Sequence, residues 1–370
     1  MEKVTYACLN LCGKKIHDWE VLSQLNLEEP DSEAPLKDSA VYYNVTNGDV
    51  KACMKVFNYE YANNCSLLFG QTRMEYLRDA TTAFSYESAL AQFCNSRHAS
   101  NVIIYLDAGE VNLDGFSNTT VSYIVYETIE ANVYQLLDFS RLAEIAANMK
   151  VLSDKLKSLH DITKGLNQLH SNSISHQSVT PVNVVSTSSG MKIANLSTAL
   201  CFDTQVKCPF DLIRFNGDWT YAPPEAFFAH QQKTEKDTMF QMDNYMLGGL
   251  IVYYLTGLSL NAIVDQFLGA NTMDEMSKQG RTFESILPDL VNAYDKAINM
   301  IGGIIPNEEI RSDLIEIITA LTYPDPAKRG DKRTLALVTP NYDLQRTITK
   351  LDVLEKKSRL ISLKIYGNLH

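Results

Sequence analysis

One stretch of the sequence concentrates polar side chains between apolar ones. "SHQSVTPVNVV", residues 175–185, carries an imidazole at His176, a hydroxyl at Ser178 and an amide at Asn183. A general base at neutral pH needs a group that can take up a proton, and an uncharged serine hydroxyl does not serve. An amide oxygen can join a magnesium shell but brings no negative charge. The stretch therefore has the polarity of a reaction site without a strong base or a strong metal ligand.

The cysteines suggest a metal site only weakly. Cys8 and Cys12 could ligate a metal, but no second pair follows at zinc-ribbon spacing. The seven cysteines of the chain are odd in number and scattered, unlike the disulfide framework of a small secreted protein. No basic and then apolar leader opens the sequence. We expect ordinary packing for both cysteines, no metal site, and an intracellular, cytoplasmic protein.

Composition narrows the choice of partners. The 370 residues are 45% hydrophobic and 21% charged, with a net charge of -11, which indicates a globular protein without a dominant basic surface. Nucleic acid and anionic membranes are therefore excluded as main partners. The apolar run 245–264 approaches the length of a membrane span, but Asn261 interrupts it and Asp243 precedes it. We predict a buried helix there, no membrane span and a protein partner, and leave a small-molecule ligand open.

The first third of the chain has the pattern of a sheet. Short β-rich runs lie between residues 18 and 126, and Asn47-Gly48 predicts a turn between two of them. The runs are "WEVLSQL", "SAVYYNV", "KACMKVF", "NVIIYLDAG" and "VSYIVYE". Apolar residues at helical spacing over about 67–94 predict one helix inserted in this sheet.

Long amphipathic segments dominate the rest of the chain. They predict helices at about 141–171, 239–257, 284–302, 307–322 and 344–363. The fold class expected is α+β, with a small sheet-rich part followed by a larger helical part, joined near residues 126–132.

The order of six motifs resembles the eukaryotic-type protein kinase fold over roughly residues 18–340. The motifs are "ACMKVF", "GLNQLHSNSISHQSVTPVNVV", "KIANLS", "YAPPE", "DNYMLGG" and "DPAKR". The resemblance implies a bilobal kinase-like fold, with a small antiparallel β-sheet lobe carrying one helix and a larger α-helical lobe. Its divisions are an N-terminal extension at 1–17, an N-lobe at 18–130, a C-lobe at 131–340 and a C-terminal helical tail at 341–370.

The resemblance also implies a nucleotide site. Lys55 corresponds to the lysine that holds the nucleotide phosphates, with Glu87 as its helical partner, although either could instead be a surface residue. "VYETIEAN" corresponds to the hinge, which would set the backbone of Glu127 and Ile129 against an adenine next to Tyr126.

The chemical positions of the family pattern are changed. Ser178 replaces the catalytic aspartate, Thr180 the lysine beside it, and Asn195 the metal-binding aspartate. Gln177 replaces the arginine that contacts a phosphorylated activation segment. Asn183 is retained, but alone it makes a poor magnesium site.

The loop that would cover the phosphates departs from the pattern too. No glycine lies between Gly13 and Gly48, and the turn between them is acidic. That loop, residues 27–38, predicts either a basic partner or an outward-facing solvated turn.

The positions that support the fold are retained. His176 is expected to pack beneath the loop, and Asp243 to accept its backbone N–H groups. Glu225 and Arg329 are expected to form a buried ion pair.

This contrast predicts a catalytically inactive pseudokinase, not an enzyme, that acts as a scaffold or allosteric regulator of a partner such as an active kinase or another enzyme. Candidate contact surfaces are 27–38, 58–83, 196–224 and the terminal helix, which could instead pack on its own domain. No cofactor is expected, although weak or metal-independent ATP binding through Lys55, Glu87, Glu127, Ile129 and Asn183 stays open. The alternatives are a kinase-fold enzyme with altered nucleotide chemistry, either nucleotidyl transfer or weak phosphotransfer, and a conventional but weak kinase.

Overall fold

The protein is described by a computed structural model. It covers residues 4–27, 40–65, 72–137, 148–228, 235–269, 272–305, 307–331, 335 and 343–367. The acidic turn at 28–38 and the predicted helix start at 141–147 lie outside these residues. The chain has a mixed α+β architecture, with an antiparallel sheet in its first third and helices after it. The α+β class is therefore confirmed, and the two-lobed kinase layout stays a prediction.

A six-stranded antiparallel sheet occupies residues 15–127, in the order β1-β2-β3-β4-β6-β5. Its strands are β1 Lys15–Ile16, β2 Trp19–Leu25, β3 Ala40–Thr46, β4 Lys51–Phe57, β5 Tyr105–Asn112 and β6 Thr120–Glu127. The predicted turn lies between β3 and β4. Gly48 there has a φ of 99°, which residues other than glycine rarely adopt.

Strand β4 is central, and its alternation sets the direction of Lys55. Ala52, Met54 and Val56 enter a core on one face of the sheet. Because successive side chains point to opposite faces, the odd-numbered residues of β4 turn to the other face, where Cys53 and Phe57 join a second core. The lysine between them therefore points toward the same face as these two residues.

The first core is closed by the N-terminal residues. Leu11 and Ile16 are fully buried against the sheet, and the Tyr43 hydroxyl donates to the carbonyl of Cys8 at 2.9 Å. Residues 4–17 thus pack on the sheet, and the boundary predicted at residue 17 falls between β1 and β2. Cys8 is buried in this core, whereas Cys12 is exposed.

Two helices lie between β4 and β5, namely α1 Tyr59–Cys65 and α2 Arg73–Ser96. Helix α2 begins with a capping box in which Thr72 and Glu75 bond to each other's backbone N–H groups. Its buried stripe contains Glu87, Leu90 and Cys94, which share one helix face. The inserted helix predicted from the sequence is therefore present.

The rest of the described chain is mainly helical. Its helices are α3 Val133–Leu136, α4 Met149–Ser171, α5 Pro224–Phe227, α6 Glu235–Thr256, α7 Leu260–Leu268, α8 Met273–Lys278, α9 Phe283–Ile304, α10 Glu308–Thr322 and α11 Gln345–Gly367. Short strands link them: β7 Ala131–Asn132, β8 Ile174–Ser175, β9 Val184–Thr187, β10 Gly190–Ile193 and β11 Leu200–Cys201. One continuous apolar core joins the α2 face of the sheet to these helices.

The apolar run 245–264 is divided between two helices. Gly257 has a φ of 75° and Ser259 caps α7, so α6 ends there and the chain turns. Among the described residues no single helix is long and apolar enough to cross a membrane; Lys236–Thr256 and Leu260–Leu268, bent by 86°, meet that requirement only as a pair.

The terminal helix α11 packs on its own chain. Leu344, Leu351 and Leu354 are buried, and the Ser153 hydroxyl of α4 donates to the Glu355 carbonyl at 3.3 Å. Lys357 pairs with two carboxylates of α10. Of the two alternatives for this helix, packing on its own domain is therefore observed.

Leu351→Ala should lower the free energy of unfolding by about 2–5 kcal/mol, because it leaves a cavity between α11 and α4. Leu360→Ala, on the exposed side of the same helix, should change it by less than about 0.5 kcal/mol. Urea denaturation of both variants checks this. Equal losses would contradict the packing described for α11.

Candidate functional site

The loop 175–183 is held by one buried carboxylate. Asp243, on α6, accepts the backbone N–H of His176 at 2.7 Å and of Gln177 at 2.8 Å. It also accepts from the Ser175 hydroxyl and from Nε2 of His170, each at 2.9 Å. A fully buried carboxylate needs such donors to offset its desolvation. Asp243 is thus placed as the sequence analysis expected.

His176 connects this loop to the next polar group. Its Nε2–H donates to the carbonyl of Ala194 at 3.0 Å, and Nδ1 accepts the backbone N–H of Ser178 at 3.2 Å. These two bonds fit the neutral imidazole, with one donor and one acceptor. Burial lowers the pKa of His176 and outweighs the opposing effect of the Asp243 carboxylate.

A short hairpin brings Asn183 and Asn195 together. Strands β9 and β10 pair Val184 with Ile193, and just beyond this pair the Ala194 N–H donates to the Asn183 carbonyl at 2.9 Å, which leaves Asn195 as the next residue. Nδ2 of Asn195 donates to Oδ1 of Asn183 at 2.8 Å. Asn195 has a φ of 60°, a left-handed conformation that asparagine tolerates better than most residues.

Lys55 binds both Glu87 and Asn195. Its Nζ lies 2.6 Å from Oε2 of Glu87 and 3.0 Å from Oδ1 of Asn195. Lys55 is 5% exposed and Glu87 1%, so the alternative of surface positions is wrong for both residues. The sheet, α2 and the β10 hairpin therefore meet at one ammonium group.

Two tyrosines complete this cluster. The Tyr126 hydroxyl donates to the second oxygen of Glu87 at 3.0 Å, and Tyr42 lies beside Lys55 on the neighbouring strand. Burial raises the pKa of both tyrosines, so both hydroxyls stay protonated. Burial tends to lower the pKa of Lys55, but the negative charge of the Glu87 carboxylate prevails and raises it. The cluster is an ion pair enclosed by neutral donors and acceptors.

The replaced positions join the same network. Nδ2 of Asn183 donates to Oγ of Ser178 at 2.9 Å and to its carbonyl at 3.0 Å. Polar groups thus run continuously from Ser178 through both asparagines to Lys55. Thr180 lies beside them with its hydroxyl buried and, within the described part of the chain, without a hydrogen-bond partner.

The two hinge candidates are tied inward. The side chain of Glu127 accepts from Lys192 Nζ at 2.7 Å and from the Ile104 N–H at 2.9 Å, and its own N–H donates to the Ile104 carbonyl at 3.0 Å. The Ile129 side chain is buried in the core. The structure therefore assigns both residues packing roles and leaves an adenine contact untested.

Glu225 and Arg329 form the expected buried ion pair. Two guanidinium nitrogens of Arg329 lie 2.5 and 2.9 Å from the two carboxylate oxygens of Glu225. The guanidinium also lies 4.9 Å from the centre of the Tyr245 ring. The pair joins α5 to the segment after α10 and lies apart from the polar network around Lys55.

Sequence reasoning missed the partners of Gln177. Its buried side-chain amide accepts the backbone N–H of Asn216 at 3.2 Å, and its backbone carbonyl lies against Gly217. The Asn-Gly pair at 216–217 was the available signal, because this pair marks turns where a backbone approaches closely. Its long-range partner, however, could not be read from local pattern.

Within the described ranges no group of three or more His, Cys, Asp or Glu side chains is placed to hold a metal ion. Comparison of the chain with models of known protein families and with curated proteins found no match.

His176→Gln should reduce the decrease in the free energy of unfolding that accompanies a fall in pH. Unfolded histidine titrates near pH 6.5, whereas the buried imidazole has a lowered pKa. As pH falls, His176 is therefore protonated in the unfolded chain before it is protonated in the folded protein. Its contribution to the free energy of unfolding is complete above about pH 6.5 and is lost as pH falls through the lower folded pKa.

Urea denaturation between pH 5 and 8 measures this slope. His98→Asn, at an exposed position, serves as the control and should keep the wild-type slope. An unchanged slope in His176→Gln would show that other groups cause the acid loss.

Proposed function

We propose that this chain is a pseudokinase: a kinase-like, two-lobed protein that transfers no phosphoryl group and works through protein contacts inside the cell. The observation that carries the proposal is the network of Ser178, Asn183, Asn195 and Lys55. Its members satisfy one another's hydrogen bonds, and the loop and hairpin groups in it are neutral. Phosphoryl transfer depends on a positioned base and on charge that holds magnesium, and neutral side chains provide neither.

The intact support around the network favours a retained scaffold. Buried charges cost stability unless they are fully paired. Here Asp243 accepts four hydrogen bonds, Lys55 pairs with Glu87, and Arg329 pairs with Glu225. Such pairing supports a fold that is maintained while its chemistry is lost.

An exposed aromatic group favours a role in protein contacts. Trp219 is 50% exposed and lies between Phe215 and Phe227, with ring centres 5.1 and 5.2 Å away. Large aromatic side chains on a surface are typical of interface centres. Of the candidate surfaces, 196–224 is thus the one that the described residues favour.

Incubation of the full chain with ATP labelled at the γ- or the α-phosphate, with Mg²⁺ or Mn²⁺, should give no transfer above that of Lys55→Met. The Ser178→Asp/Asn195→Asp double variant should also stay inactive, because Thr180 and the glycine-free loop are unchanged. Metal-dependent γ-transfer that Lys55→Met abolishes would establish a kinase, and α-transfer would establish nucleotidyl transfer.

The contact role has a separate readout. A proximity-labelling enzyme fused to the chain should label the same set of proteins in wild type and in Lys55→Met. Trp219→Ala should abolish this labelling. Loss with Lys55→Met but not with Trp219→Ala would place the function in the polar network around Lys55 instead.

A further inference from the structure

The segment that carries Trp219 is joined to the loop held by Asp243 through one glutamine. Oε1 of Gln177 accepts the backbone N–H of Asn216 at 3.2 Å, and Nε2 donates to the Ser175 hydroxyl at 2.7 Å. Ser175 in turn donates to Asp243 at 2.9 Å. A continuous chain of hydrogen bonds therefore runs from α6 to residue 216.

The backbone of Gln177 is fixed on the inner side. The residue is fully buried, has a φ of 66° and gives its own N–H to Asp243 at 2.8 Å. A left-handed conformation at a non-glycine residue persists only where the surroundings hold it. Its side chain can use both ends because an amide is at once donor and acceptor. A glutamate there would lack the donor and would add a second carboxylate beside Asp243.

The segment also lies against the backbone of Gln177. A Cβ placed on Gly217 would lie 1.5 Å from the backbone carbonyl oxygen of Gln177, so only glycine permits the approach. Nδ2 of Asn216 donates to the carbonyl of Thr198 at 3.1 Å, which joins the segment to its own beginning. Residues 216 and 217 are thus held from two sides.

We propose that Gln177 is a positioning residue: it latches residues 198–222 in one fixed conformation and so presents the Phe215, Trp219 and Phe227 cluster constitutively. Gln177, Asn216 and Gly217 have no hydroxyl or ionisable side chain, so neither phosphorylation nor proton uptake at these residues can release the contact. The inference goes beyond the proposed function and concerns the conformation of the segment, whatever the cleft or the partner does.

Hydrogen–deuterium exchange on the full chain tests the latch. Gln177→Met keeps the volume and removes both amide bonds, and the backbone amides of 210–222 should then exchange about tenfold faster. Gly217→Ala would push residue 217 away from the backbone carbonyl of Gln177 and, with it, the adjacent Asn216 N–H away from the amide, so it should have the same local effect. Gln205→Met, on an exposed residue of the same segment, is the matched control and should match wild type.

Helix α4 provides the internal reference in every variant. Faster exchange confined to 198–222, with α4 unchanged, supports the latch. Wild-type exchange of 210–222 in Gly217→Ala and in any folded Gln177→Met would overturn it, and so would equal acceleration in α4. If Gln177→Met fails to fold, Gly217→Ala decides alone.

Discussion

The arrangement of the whole site depends on the carboxylate of Asp243. It is fully buried, and its desolvation is offset by two backbone N–H groups and a hydroxyl of the loop together with Nε2 of His170. These bonds orient His176 toward the β10 hairpin and Gln177 toward the segment of Trp219. One buried charge on α6 thereby places both the polar network and the exposed aromatic surface.

The ammonium of Lys55 is the second fixed point. Its partners Glu87 and Asn195 come from an inserted helix and from a hairpin, so one ammonium group ties two other parts of the chain to β4. Asn195 accepts from Lys55 and donates to Asn183, so these two positions carry neutral amides. Buried polar groups that hydrogen-bond one another in this way stabilise the site. Under the proposed function, the same neutral groups do not supply the charge that phosphoryl transfer uses.

Much of this could be predicted from local pattern and motif order. The period-2 alternation of β4 and the helical spacing around Glu87 predict which face of its element each residue lies on. The motif order predicts that Lys55 contacts Glu87. The contact of Gln177 with Asn216 and the burial of Leu11 were not predictable in this way. Both depend on where irregular segments lie against distant residues, and no periodicity encodes that placement.

We propose that the network around Lys55 does not form a metal-dependent nucleotide site. Melting temperatures of the full chain with millimolar ATP, measured with and without Mg²⁺, test it directly, because a ligand that binds only the folded state must raise the melting temperature. We expect that any rise in melting temperature caused by ATP is the same with and without Mg²⁺. A shift that requires Mg²⁺ and disappears in Asn195→Ala would contradict it.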